Sequence, residues 1–449
     1  MTPDKTENRD YNLPQENSTD WHIPLNENWE KIDADVQAAL DMAQQALDAA
    51  TGTDTEEPTT GETGFSWDQT HVDTSWLTEA DSNDNLNVET VTSLDLTGPG
   101  SITEAVENGG DQPTVVVFEV GGVIDIGGGP YWRIQNPNTY IAGQTAPYPG
   151  ISMIRGGPRV QALNVIVEHV GFYCGDDVND PYKAGAITMD EPGNTLFNHC
   201  TAAWAPDTNI RVPQGGGPGA FINGINAEAL NNSSHPEAPH GYAFNARFEG
   251  SWDLLGNLWS QNWKRNPRGP HDEINLVFAN NYVWNWGRRL YHGSKDGGPE
   301  FDWISCVAEA GPDTVIEQGD RGGLFDNRTV DCFFDDVTFP SGMDREDANT
   351  TYVDAPQNLP SGLSLSDLKS ASELESFLSP MVGPRPAHRA PHEQRMINDF
   401  VNRSGRIIDD HTDVGGYPDY DSNTRSLSLP TTDVLNWVQQ YTDEVEQGS

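Results

Sequence analysis

The pattern of hydrophobic and polar residues divides the 449-residue chain into a helical start, a long β-rich middle and a mixed end. Between residues 25 and 47 apolar residues recur every three or four positions, which predicts an amphipathic helix. From residue 65 to about 340 the apolar residues form short runs separated by Gly, Asn, Asp and Pro, which is typical of strands and tight turns. The clearest runs lie at 114–120, 140–142, 151–154, 165–170, 186–189 and 195–199.

Many short strands along one chain suit either a β-solenoid or a β-sandwich. Because the turns between them vary in length, the pattern favours an all-β protein built as a right-handed parallel β-helix, whose loops differ from coil to coil. Helical periodicity is scarce in this region apart from 101–108. It returns at 393–402 and 432–441, which predicts a small helical C-terminal region that packs on the β-helix.

These changes of pattern predict four segments. Residues 1–50 form an attachment segment and helix, 51–64 an acidic linker, 65–342 the β-helix, and 343–449 a C-terminal segment that packs on it, beginning with a Pro- and Ser-rich surface stretch. The helix has one narrow apolar stripe between acidic flanks, so it needs a partner, and the linker follows at once. We therefore expect self-association through residues 25–50, as a homotrimer.

The charge of the chain is strongly unbalanced, with 25 Lys plus Arg against 69 Asp plus Glu and a net charge of −44. Such self-repulsion predicts a hypersaline environment, where salt screens it. An acidic disordered protein is the alternative, but 13 Trp, 13 Tyr and 15 Phe disfavour it. The charge also excludes nucleic acid as a partner, no apolar run is long enough to span a membrane, and the start of the sequence lacks the features of a secretory signal.

The four cysteines lie at positions 174, 200, 306 and 332, without any Cys-x-x-Cys pair. This spacing argues against a cysteine-based zinc site. We expect all four to be small buried core residues, with their redox state left open.

Three cations, Lys264, Arg265 and Arg268, stand between two apolar strand-like runs at 254–259 and 274–284. Because the chain is so poor in cations, this cluster is the feature most indicative of an anionic substrate. Several asparagines sit at the ends of the runs, where an amide side chain can bond to the backbone of a turn. They are Asn257, Asn280, Asn281 and Asn285.

A series of motifs lies in a fixed order at 100–105, 116–124, 138–147, 194–204, 265–268, 280–287 and 382–418. Together they resemble the pectate lyases of the parallel β-helix superfamily, similar to polysaccharide lyase family 1. The resemblance spans about residues 100–418 and implies a parallel β-helix that binds an acidic polysaccharide.

The resemblance implies that Arg265 is the base that removes the proton beside a uronate carboxylate, so that β-elimination breaks the glycosidic bond. An arginine must be desolvated and crowded by other cations to act in this way, and Lys264 and Arg268 are available for that. The alternative is that Arg265 pairs with surface carboxylates. Substrate contacts are expected from Lys183, His240 and Trp263, whose indole could stack on a sugar ring, although the role of His240 is open.

The resemblance also implies Ca²⁺, but the residues that would bind it are largely replaced. Gly185, Lys183 and Thr208 stand where acidic residues are usual, and only Asp207 remains of a site that needs several hard oxygen ligands. We expect the calcium site to be weakened or lost. Lys183 could supply the missing positive charge, or it could be an ordinary residue of a surface turn. His199 belongs to a His-Cys motif whose histidine we expect to be structural.

Residues 11–14, 19–21 and 24–33 resemble the opening of tail-fibre and tail-spike proteins of tailed viruses. We therefore interpret the chain as a virion tail protein of a haloarchaeal virus, attached to the tail through its N-terminus and located outside the cell. It would bind, and as an enzyme cleave, an acidic polysaccharide of the host surface. Two alternatives stay open: a secreted haloarchaeal polysaccharide lyase, and a glycan-binding adhesin without activity.

Overall fold

The computed structural model describes residues 64–129, 131–190, 193–213, 217–246, 250–268, 274–292, 300–316, 330–343 and 350–448. The predicted helix at 25–50, the attachment segment and nearly all of the acidic linker lie outside these residues.

The described part of the chain is a parallel β-helix, which confirms the main prediction from the sequence. Each full coil contributes one strand to each of three sheets, and every pair between coils is parallel. Sheet A contains β1 (Asn87–Val91), β2 (Thr114–Phe118), β5 (Thr139–Ala142), β8 (Val165–Glu168), β11 (Thr195–Asn198), β14 (Gly219–Ile222), β17 (Gly250–Leu255), β19 (Ile274–Ala279), β21 (Glu300–Glu309), β22 (Val330–Thr338) and β23 (Thr350–Val353).

The other two sheets are shorter. Sheet B contains β3 (Val120–Asp125), β6 (Ile151–Ile154), β9 (Val170–Tyr173), β12 (Thr201–Ala203), β15 (Ile225–Ala227), β18 (Leu258–Ser260) and β20 (Tyr282–Trp284). Sheet C contains β4 (Tyr131–Ile134), β7 (Gly157–Val160), β10 (Ile187–Met189), β13 (Thr208–Val212) and β16 (Tyr242–Ala246). The last strand, β24 (Asn423–Thr424), pairs antiparallel with β3.

The strands stack in register, so each side chain lies on its counterpart in the next coil. In sheet A, Phe197 pairs with Phe221, which pairs with Leu254, then Phe278 and Trp303, and all five are buried in the core. The opposite face of sheet A is covered by apolar residues from both ends of the chain. Because both faces are buried, these strands have continuous apolar sequences rather than an alternating pattern.

Most predicted strands match the structure, but four longer runs each contain a corner. The runs 114–120, 165–170, 254–259 and 274–284 cross from sheet A to sheet B. At two of these corners His169 and Asn280 have positive φ, which turns the chain sharply without ending the apolar pattern. Apolar side chains on both sides of a corner are buried, so hydrophobicity alone does not reveal the turn.

The asparagines bond to backbone at the corners and in the adjoining strands, and at one corner the side-chain oxygen of Asn257 accepts from the amide of Gly224 over 2.8 Å. The side chain of Asn281 donates to the carbonyl of Leu254 over 2.7 Å, and that of Asn257 donates to the carbonyl of Phe221 over 2.8 Å. The oxygen of Asn281 accepts from the amide of Asn257 and from the indole of Trp259. These amides therefore satisfy buried polar groups inside the coil.

Five helices flank the coils in the described residues. They are α1 (Ser75–Ser82), α2 (Ile102–Gly109), α3 (Leu374–Met381), α4 (Pro391–Val401) and α5 (Val434–Gln447). The helices predicted at 101–108, 393–402 and 432–441 correspond to α2, α4 and α5. Ser101 caps α2, because its hydroxyl accepts from the amide of Glu104.

All four cysteines are buried, as expected, and their thiols are free. Among the described helices none is both long and apolar enough to cross a membrane.

The buried amide of Asn281 predicts a large cost of substitution. Asn281→Ala removes the acceptor of two buried donors, the backbone amide of Asn257 and the indole of Trp259, so we expect a loss of roughly 3 kcal/mol in the free energy of unfolding. Asn402→Ala, at an exposed position, is the matched control and should change stability by less than about 0.5 kcal/mol. Denaturant unfolding measures both, and equal stabilities would contradict the structural role of Asn281.

Candidate functional site

The outward-facing residues of sheet C form a column that is rich in arginine. Successive strand pairings place these side chains at one register position, from the first complete coil to the chain around residue 292. The residues on either side of the column, such as Val160 and Phe244, are buried in the core, so the column itself faces outward. We call it the basic column: Arg133, Arg159, Thr188, Arg211, Asn245, Arg268 and His292.

Two arginines of the basic column are paired with aspartates. The guanidinium of Arg159 lies 2.5 Å from a carboxylate oxygen of Asp190, and that of Arg211 lies 2.9 Å from Asp207. These pairs are partly buried and hold the arginine side chains against the sheet. The pairs therefore help to fix the geometry of the first four coils. Because each of these guanidinium groups already faces a carboxylate, it offers less positive charge to a ligand.

The cations predicted from the sequence gather at the other end of the basic column. In parallel β-bridges of the backbone, Lys264 pairs with Tyr242 in one neighbouring coil and with Arg289 in the other. Arg268 pairs in the same way with Asn245 and His292. Arg268 also donates to the side-chain oxygen of Asn245 over 3.1 Å. We call the resulting group the cationic cluster: Lys264, Arg265, Arg268 and Arg289.

His292 reports the electrostatic potential inside the cationic cluster. Burial and then the positive charges of Arg265, Arg268, Arg289 and Lys264 lower the pKa of His292 from 6.5 to about 2. Burial is the largest cause of this shift, and the four positive charges add to it because they disfavour a further positive charge. The cluster is therefore an electropositive site, in a chain whose net charge is −44.

An aromatic stack ends on Arg265 and holds its guanidinium. The guanidinium carbon of Arg265 lies 3.6 Å from the centre of the Tyr242 ring, in cation–π contact. The ring of His240 lies against the same tyrosine, tilted by 44° with 3.8 Å between ring centres, and His235 stacks on His240 at 3.8 Å. The stack is anchored to sheet C, because His240 Nε2 lies 3.1 Å from Asp207. Arg265 itself has φ of 63°, an uncommon backbone conformation.

Asp207, the residue expected to remain from a calcium site, is surrounded by nitrogen atoms. Burial opposes its ionisation, but the hydrogen bond from His240 and the charge of Arg211 outweigh burial and lower the pKa of Asp207. Within the described part of the chain, the side chains grouped here that could hold a metal are the carboxylate of Asp207 and the imidazoles of His235 and His240. Ca²⁺ requires six to eight oxygen ligands, so this donor set does not fit it, and we derive no step through calcium.

Lys183 and Trp263 lie at the edges of the site. The ammonium group of Lys183 is exposed and lies 2.9 Å from Asp180, while its backbone carbonyl accepts a hydrogen bond from Arg211. Trp263 is half-buried and packs on the backbone of Gly287, where a Cβ atom would come within 1.9 Å of the indole. Lys264 lies 5.9 Å from the centre of that indole.

Sequence reasoning missed Arg289, His292, Tyr242 and Arg211 as parts of the site. A signal for two of them was present, because Arg289 follows Lys264 by 25 positions and His292 follows Arg268 by 24. The same interval of 24 separates Asn257 from Asn281, one coil later. A search at the coil period would have found both.

The sequence matches no protein-family model, and it matches none of the curated proteins. Solved structures with a similar backbone include jun a 1, the major allergen from cedar pollen, with a TM-score of 0.44, 14% identity and coverage of 66% of this chain and 88% of that chain. Another is the pectate lyase Bsp165PelA from Bacillus sp. N165 in complex with trigalacturonate, with a TM-score of 0.43, 12% identity and coverage of 67% of this chain and 93% of that chain. A third is the pectate lyase pelN from Paenibacillus sp. 0602, with a TM-score of 0.42, 11% identity and coverage of 76% of this chain and 99% of that chain.

The cationic cluster predicts a measurable effect on His292. In Arg268→Gln one positive neighbour is removed, so the pKa of His292 should rise from about 2, although burial keeps it below 6.5. NMR titration of the histidine ring protons measures this, with His292→Asn to identify the signal. Arg406→Gln, which removes an exposed charge, is the control and should leave the signal unchanged.

The lowered pKa of His292 also determines how this residue changes the stability of the fold with pH. The unfolded chain binds a proton at His292 below pH 6.5 while the folded chain does not, so this residue destabilises the fold as the pH falls below 6.5. Arg268→Gln should weaken that pH dependence. A pKa of His292 that is the same in both proteins would contradict the assignment of the electropositive site.

Proposed function

We propose that the protein binds an acidic polysaccharide along the basic column and cleaves it by β-elimination at the cationic cluster. The observation that carries the proposal is the cluster of four cations around His292, whose pKa they help to lower to about 2. A polymer with one carboxylate on each sugar supplies the repeated negative charge that such a surface attracts. Two proteins with a similar backbone, Bsp165PelA and pelN, are pectate lyases, and the reaction is the one that the sequence resemblance to that family implies.

The reaction assigns a separate task to each cation. Arg265 accepts the proton from the carbon next to the uronate carboxylate, the electron pair forms a carbon–carbon double bond, and the glycosidic bond at the next carbon breaks. The leaving oxygen takes up a proton, either from Arg265 or from water. Arg268 and Lys264 neutralise the carboxylate, which makes the neighbouring proton more acidic.

Arg265 fits the role of the base for two physical reasons. Its guanidinium is held on the Tyr242 ring at 3.6 Å, so it can be presented to the substrate in one orientation. Its neighbours are positive, and like charges disfavour one another's protonated forms. His292 is close in the same site, but a pKa of about 2 makes it a poor proton acceptor.

Replacement of Arg265 by lysine tests the proposal. Arg265→Lys keeps the charge but loses the planar group that stacks on Tyr242, so elimination should fall by roughly three orders of magnitude while polymer binding survives. Ultraviolet absorbance of the unsaturated product, on polygalacturonate and on surface glycans of halophilic archaea in molar KCl, measures the rate. Arg406→Lys, an exposed arginine, is the matched control and should keep full activity.

The other outcomes distinguish the alternatives. Activity that is unchanged in Arg265→Ala would contradict the assignment of the base. Binding without product in the wild type would support an adhesin, with Arg265→Ala reducing affinity only. Activity abolished by a chelator and restored by Ca²⁺ would show that calcium is used, against the donor set around Asp207.

We also propose that residues 1–50 attach this β-helix to a virion tail as a homotrimer. The support is the tail-protein-like sequence at 11–33 and the single apolar stripe of the helix predicted at 25–50, which would require partners. The glycan-binding surface would then recognise the host. A secreted lyase explains the cationic cluster equally well but gives no role to residues 1–50.

Deletion of residues 1–50 tests the oligomeric part of this proposal. The full chain should have three times the monomer mass in molar KCl. The deletion variant should be a folded monomer, with the same β-sheet signal in circular dichroism as the full chain when compared at equal β-helix concentration. Multi-angle light scattering measures both masses. Equal oligomeric states for the two proteins would contradict attachment through this helix.

A further inference from the structure

Two histidines stack at one corner of the β-helix, away from sheet C. His169 and His199 follow the ends of β8 and β11, which pair in register, so the two residues occupy the same position in successive coils. Both have positive φ, 56° and 48°. Their rings are nearly parallel, with 4.9 Å between centres, and both are buried. The carboxylate of Glu446, near the end of α5, lies against them.

The hydrogen bonds of the rings define where their protons are. His169 Nδ1 lies 2.5 Å from the carbonyl oxygen of Pro384, and His199 Nδ1 lies 3.2 Å from that of Gly383. A carbonyl oxygen can only accept, so each Nδ1 carries a hydrogen. In the neutral form of each ring, Nε2 therefore presents a lone pair.

Three electron-pair donors then face one another. The Nε2 atoms of His169 and His199 each lie 3.3 Å from the same oxygen of Glu446. Within the described part of the chain, His169 Nε2 makes no hydrogen bond, although it is buried. One shared proton would satisfy only one of the two nitrogen–oxygen contacts. A single cation bound by all three atoms satisfies both.

The two nitrogen–oxygen distances match those of a transition-metal site, and all three ligand atoms lie within 4.8 Å of one another. Ligand bonds of about 2.0–2.1 Å in a tetrahedral arrangement place neighbouring ligand atoms about 3.3 Å apart, which is the nitrogen–oxygen separation here. Metal-binding histidines commonly donate their other ring nitrogen to a backbone carbonyl, as both of these do. Two imidazoles and one carboxylate suit Zn²⁺ or Co²⁺ and not Ca²⁺ or Mg²⁺.

We propose that His169, His199 and Glu446 bind one divalent transition-metal ion of the zinc type. Small rotations of the two rings direct their lone pairs to the ion, and a water molecule completes the coordination. The ion joins α5 to two successive coils and so fixes the C-terminal helix on the β-helix. It is a structural site, independent of the chemistry proposed for sheet C.

Cobalt titration of the full-length protein tests the site. Protein treated with a chelator and desalted into molar KCl should develop visible d–d absorption with Co²⁺ that saturates at one equivalent and disappears on addition of Zn²⁺. Glu446→Gln and His199→Asn should each weaken this binding by about 100-fold or more, because each removes a ligand. Zn²⁺ should raise the Tm of the wild type and leave that of Glu446→Gln unchanged.

A matched control separates this site from the histidines near the cationic cluster. His235 belongs to a second group with Asp207 and His240, so His235→Asn should leave the cobalt spectrum unchanged. The same titration curve in Glu446→Gln as in the wild type would overturn the proposal. So would a spectrum that is lost in His235→Asn and kept in Glu446→Gln, or the absence of saturable binding to the wild type.

Discussion

The in-register stacking of coils is the constraint on which the rest of the structure depends. Successive strands lie about 4.8 Å apart, so each residue must tolerate a neighbour directly above and below it. Apolar residues gain from this arrangement, as the buried series from Phe197 to Trp303 illustrates. Asparagines gain too, because a stacked amide can donate to one coil and accept from the next, as Asn281 and Asn257 do.

Stacked cations, in contrast, repel one another, so a stack of cations needs a specific explanation. Two like charges 4 Å apart repel by about 1 kcal/mol in water and by several times more near a protein surface. The structure nevertheless pairs Lys264 with Arg289 in adjacent coils, next to Arg268 and Arg265. In a chain with 69 acidic residues, there is no general excess of cations to account for this. The proposed recognition of a polyanion would give the stacking a physical reason.

The sequence predicts contacts between residues that are close along the chain or that repeat at a regular interval. It does not predict contacts between residues separated by loops of unequal length. The parallel β-helix and the turn asparagines follow from short apolar runs and their ends. Lys264, Arg265 and Arg268 were identifiable because they are close in sequence. Arg133 and Arg211 enter the same column only after loops of unequal length, so no fixed period connects them. The pairing of Glu446 with His169 spans most of the chain and leaves no pattern.

The central claim is that an acidic polysaccharide binds on sheet C at the cationic cluster. Hydrogen exchange of backbone amides, with and without an oligogalacturonate in high salt, tests this directly. The account predicts slower exchange in the bound protein at residues 242–246, 263–268 and 287–292, with no change in α4 and α5. Protection confined to another face, or no protection at any concentration of the oligosaccharide or of a host-surface glycan, would contradict it.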